Sequence, residues 1–84
     1  MSTQDTFKQG DVIEDSYGNP AVVLSTRGGR PYRIMQVAGS DRGRIANPPL
    51  DIVRVTGKRA DWALEIARKE WKRQGLRRSD FVCD

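Results

Sequence analysis

At 84 residues, with 37% hydrophobic residues spread along it, the chain has material for one core and not two. It has no histidine and one cysteine, Cys83, which excludes a Ser-His-Asp triad, a Cys-His pair, an intrachain disulfide and an ordinary zinc site. The net charge of +4 is unevenly placed: residues 1–53 balance six basic side chains against six acidic ones, whereas residues 54–78 carry nine basic against three acidic.

Such asymmetry points to an acidic partner, nucleic acid first. Arginines outnumber lysines eleven to four, giving a surface of planar forks suited to phosphate and carboxylate. No apolar run approaches the roughly 20 residues that span a bilayer. The polar start, Met1 to Thr6, lacks the basic-then-apolar pattern of a signal peptide, so a cytoplasmic protein is expected. Cys83 reads as an incidental thiol.

In chain order, residues 1–9 read as a loose polar arm with Phe7 packing onto the body of the domain. Gly10-Asp11 leads into a strand from Val12 to Glu14, and Asp15 to Pro20 is dense in turn formers. Ala21 to Thr26 is a β-branched and aliphatic strand. Arg27-Gly28-Gly29-Arg30 is a hairpin turn, because paired glycines supply positive φ. Pro31 to Val37 is the return strand, Ala38 to Gly43 a second turn, and Arg44 to Ala46 a fourth strand. Asn47-Pro48-Pro49-Leu50 breaks the ladder, since two prolines remove two donors. Asp51 to Val55 is a fifth strand.

Five short strands with Gly/Pro turns predict a small antiparallel barrel. Gly10-Asp11-Val12-Ile13, the glycine-bearing hairpins and the proline-containing connection resemble an SH3-like barrel of the KOW or Tudor sort over residues 10–55. That resemblance implies binding of nucleic acid or protein rather than catalysis. Pro20 to Ser25 is also similar to the opening of MazF/PemK-type ribonuclease toxins. The chain departs from them where an arginine should precede the proline and Asn19 stands, and in its shorter length. No catalytic residue, metal, cofactor or small-molecule substrate is assigned.

After Thr56-Gly57 the period changes. Lys58 to Gln74 has neither Gly nor Pro and is rich in helix formers, which predicts a helix ending at Gly75. At 100° per residue, Ala60, Ala63, Leu64, Ala67 and Trp71 share one face, with Ile66 on its flank. Glu65 and Lys69 form an i,i+4 pair. Leu76 and Phe81-Val82 are placed to fold back onto the core. The whole is therefore mainly β with one helix: a five-stranded SH3-like barrel over 10–56, then a basic helix and tail over 57–84.

Three constellations carry the functional expectation. Trp62 falls off the alanine stripe, near Lys69 and Arg73, as a ring among cations or else as a further core residue. Lys58, Arg59, Lys72, Arg73, Arg77 and Arg78 bracket the helix. Arg27, Arg30, Arg42 and Arg44 flank the glycines of the two hairpin turns, and converge if both tips lie at one end. Tyr17 and Tyr32 are expected near one another across the barrel. The expected function is low-specificity nucleic-acid binding, DNA ahead of RNA. The alternative is a protein-interaction module or small regulator docking an acidic surface of a larger machine.

Overall fold

The computed structural model describes residues 6–81; the expectations on residues 1–5, Val82 and Cys83 fall outside them. Five strands, β1 (Val12–Asp15), β2 (Pro20–Arg27), β3 (Arg30–Gln36), β4 (Ile45–Ala46) and β5 (Ile52–Arg54), precede one helix, α1 (Lys58–Gln74). The architecture is mainly β with one helix, as the residue pattern predicts. β1 starts and β4 ends where expected, and the other strand ends shift by one residue, because pairing with a neighbour and not local propensity decides where a ladder stops.

All pairings are antiparallel, in the order β4-β3-β2-β1-β5. Strands β4 and β5 occupy opposite edges and do not pair, so the expected closed barrel is an open sheet. Four inter-strand spacings across a flat sheet measure about 19 Å, and the six steps from Ala46 to Ile52, with bends at Leu50 and Asp51, reach about 21 Å at most. The connection between the two edges therefore has little slack.

Strand β2 explains how a short chain buries so much. Every residue from Pro20 to Thr26 is buried. The β2–β3 register passes from Val23↔Ile34 to Ser25↔Arg33, stepping over Leu24. This one-residue bulge adds bend and twist, and both faces of the strand find cover. Val12, Val22, Leu24, Met35 and Val37 pack beneath α1 with Ala60, Ala63 and Ala67. On the opposite face Ile13, Ala21, Val23 and Ile34 cluster with Phe7. Each Val, Leu, Ile, Met or Phe side chain among them contributes about 1.5–3 kcal/mol on full burial.

Phe7 to Gln9 are less loose than the composition suggests. Phe7 is buried, and its N–H donates to the Gly29 carbonyl at 2.7 Å. The Gln9 side-chain amide donates to the Leu24 carbonyl at 2.8 Å.

Helix α1 spans the range its composition predicts and docks through its alanines, whose small side chains allow close approach. Gly75, at φ 68°, sends its N–H to Lys72, and the Leu76 N–H reaches the Trp71 carbonyl at 3.0 Å. These two bonds make a Schellman cap, and only glycine adopts that φ cheaply. The tail returns as expected: Leu76 and Phe81 pack on the core beneath α1, and the Phe81 ring lies 5.4 Å from that of Trp71. No helix among the described residues is long and apolar enough to cross a membrane.

Candidate nucleic-acid interface

The four hairpin arginines do not converge. Arg27 and Arg30 flank the β2–β3 turn, while Arg42 and Arg44 lie beyond the other end of β3. A seven-residue strand separates the two turns, so they stand about 20 Å apart. Tyr17 and Tyr32 are parted likewise, one beside each end of β2.

The second turn joins the helix instead. A 3₁₀ turn at Gly39–Asp41 leads into Gly43, whose φ is 85° and whose backbone packs on α1. The Gln74 side-chain amide donates to the Gly43 carbonyl at 2.7 Å, and a Cβ at Gly43 would collide with Glu70 Oε1. Arg42 is thereby held close enough for its charge to act on Glu70. Arg44 stays exposed and pairs with Asp41 at 3.6 Å.

On α1, the residues opposite the alanines are Lys58, Asp61, Trp62, Glu65, Lys69, Lys72 and Arg73, all exposed. Trp62 is 45% exposed, so it belongs to this outer face and not to the core. Lys69 pairs with Glu65 at 3.8 Å across solvent, an interaction worth a few tenths of a kcal/mol. Arg73 grips Glu70 through two nitrogens, at 3.0 and 2.5 Å. That bond holds the Glu70 carboxyl below its usual range and raises the guanidinium of Arg73. Lys58 and Lys72 make no ion pair with a described residue. Arg77 and Arg78 sit exposed at the start of a second 3₁₀ turn, Arg78–Asp80, where the Arg77 N–H donates to Asp80 at 2.9 Å.

Arg59 is diverted from the interface. Its Nη2 forms an ion pair with Glu14 at 2.9 Å and donates to the Gly18 carbonyl at 3.0 Å, tying α1 to the β1–β2 turn. That turn is pinned by Asp15, whose carboxylate accepts N–H bonds from Asn19 and Tyr17. The Asn19 bonds hold the Asp15 carboxyl below its usual range.

Two arginines that the charge pattern passes over take defined places. Arg54 lies 4.7 Å over the Phe7 ring and donates to the Thr6 carbonyl at 2.7 Å, a structural role. Arg33 and Arg27 both lie against the ring of Tyr32. The cue in the sequence is Tyr32-Arg33 on the strand returning from Arg27, but the register there steps over Leu24 on β2 and then over Tyr32 on β3.

No family model matches the chain, and no curated protein or solved structure does. The residues alone define the class: a small antiparallel sheet with a helix whose exposed face is mostly cationic.

Proposed function

We propose that the chain is a small non-enzymatic nucleic-acid-binding module of low sequence specificity, working in the cytoplasm and favouring duplex DNA over RNA. One observation carries this reading. The outer face of α1 presents Lys58, Lys69, Lys72 and Arg73, all exposed, and the docking of Gly43 beside Glu70 adds the charge of Arg42, from a separate element, at the end of the helix where Arg73 lies. Cations spread over a surface, with no element shaped to read base edges, neutralise phosphates and fix orientation rather than sequence. Trp62 adds an exposed ring to the same face. The test is fluorescence anisotropy with a labelled duplex between ~50 and ~200 mM salt, where affinity should fall steeply. No binding at the lower salt overturns the reading.

A protein partner is favoured by a different observation. Tyr17, Leu50 and Val53 are 88, 95 and 57% exposed and line one groove beside the open edge of β5. Unpaired strand edges and grouped exposed apolar residues are features of protein-docking surfaces. Affinity purification after nuclease treatment separates the two readings. A stoichiometric protein that survives nuclease supports the second.

A further inference from the structure

Arg27 and Arg33 share one tyrosine. Their guanidinium carbons lie 4.4 and 4.7 Å from the centre of the Tyr32 ring. The two charges are therefore at most roughly 9 Å apart, about one Debye length at physiological salt, and repel each other. Neither makes an ion pair with a described carboxylate. The ring attracts each cation, and Arg33 is further held by Asn47 Oδ1 and by the Tyr32 carbonyl, so its fork is fixed rather than free.

Beside them lies Ser25, the register partner of Arg33. It is 3% exposed, and its Oγ has no hydrogen-bond partner. A buried hydroxyl without a partner is an unrelieved cost. Ser25, Arg27, Tyr32 and Arg33 line one opening of about 380 Å³, together with Ile45 and Phe81. Asp80 stands at the same opening, its carboxylate accepting the Arg77 N–H, and its one negative charge faces the two guanidinium charges of Arg27 and Arg33.

We infer that this opening is a binding site for a phosphate monoester. Two guanidinium forks and one hydroxyl are donors from three side chains, which suits a tetrahedral oxyanion with several accepting oxygens better than a planar carboxylate. Bound phosphate relieves the repulsion between Arg27 and Arg33 and gives Ser25 a partner. Ile45 and Phe81 offer apolar contact to the organic group behind the phosphate. The volume falls within the range of small-molecule sites. The source is either a free nucleotide-like molecule or the phosphorylated end of a nucleic-acid strand. The site is separate from the outer face of α1 and does not depend on that face binding anything.

The test is a ¹H–¹⁵N NMR titration of the full chain with inorganic phosphate, then with a nucleoside 5′-monophosphate, with acetate as control. Saturable shifts at Ser25, Arg27 and Arg33, tighter for the monophosphate and absent with acetate, are expected. Arg27→Gln with Arg33→Gln should weaken the monophosphate at least about 10-fold, and Ser25→Ala by a smaller factor. Short oligonucleotides with a 5′-phosphate or a 5′-hydroxyl then separate the two sources: preference for the phosphorylated strand assigns the site to a strand end, equal binding of both to a free molecule. Absence of saturation to tens of millimolar, equal response to acetate, or shifts confined to Lys69, Lys72 and Arg73 overturns the site. The wild-type titration decides this even if a variant fails to fold, and it reads the α1 face separately.

Discussion

The side chain of Gln74, at the last residue of α1, holds the backbone of Gly43 through a 2.7 Å hydrogen bond to its carbonyl. This contact joins the turn before β4 to the end of the helix, 31 residues further along the chain. It is also the contact that places Arg42 beside Glu70.

Gly43→Ala should therefore be among the most costly turn substitutions. A non-glycine residue at positive φ loses roughly 1–2 kcal/mol, and the added methyl collides with Glu70 Oε1 and lies 3.0 Å from Gln74 Nε2. Both atoms end flexible side chains, so the clash displaces them and frees the turn. A total loss of about 2–3 kcal/mol is expected in urea denaturation. Gln74→Ala, which removes only the hydrogen bond, should cost about 0.5–1.5 kcal/mol.

Glu70 and Asp15 set an acid limit on stability. Both carboxyls titrate below their usual range, Glu70 chiefly through the Arg73 bond and Asp15 chiefly through the Asn19 backbone N–H. A carboxyl with a lowered folded value stabilises above its unfolded value, and that contribution is lost as pH falls through the folded value. Neutral solution should thus be unaffected, with stability declining on the acid side of the ordinary carboxylate range. ¹³C NMR titration of the side-chain carboxyls measures this directly. Arg73→Ala should return Glu70 towards its ordinary value and leave Asp15 where it is.

Much of this fold is readable from the residues, and the exceptions have a common cause. The helix from Lys58 to Gln74 is bounded by Gly57 and Gly75, and its phase follows from the spacing of three buried alanines. These are local signals. Closure of the sheet is not local, because it requires β4 and β5 to meet after a connection with two prolines, and they do not. Arg27 and Arg33 meet on Tyr32 where the β2–β3 register shifts twice, over Leu24 and then over Tyr32, and no residue type announces either shift. Trp62 lies outside the core because α1 docks through three alanines and Trp62 projects from the opposite face. Arg59 belongs by charge to the basic helix, yet Glu14 and Gly18 claim it.

Trp71 and Phe81 should be energetically coupled. Their rings lie 5.4 Å apart at 42°, and both are only partly buried. Half burial puts Trp71→Ala below the ~3–5 kcal/mol of a fully buried aromatic, at about 2–3 kcal/mol. A double-mutant cycle with Phe81→Ala should give a coupling of about 0.5–1.5 kcal/mol. Zero coupling would mean that the tail does not rest on the helix in solution, and that the opening beside Phe81 widens accordingly.

The outer face of α1 separates binding from folding. Lys72→Ala with Arg73→Ala removes two exposed cations, and exposed substitutions usually change stability by no more than about 0.5 kcal/mol. The loss of Arg73 also releases Glu70, which keeps the nearby charge of Arg42. If duplex DNA lies on this face, the slope of log affinity against log salt should become shallower by about 0.9 for each phosphate that is no longer neutralised. Trp62→Ala should leave that slope unchanged, because it removes no charge, while weakening binding at every salt concentration if the ring touches the nucleic acid. A protein partner gives the opposite pattern: collapse on Trp62→Ala and little change in salt dependence. Anisotropy titrations of the wild type and both variants at several salt concentrations distinguish these outcomes. An unaltered slope in the double variant would remove α1 from the interface and leave Arg27, Arg30 and Arg33 as the cations to test.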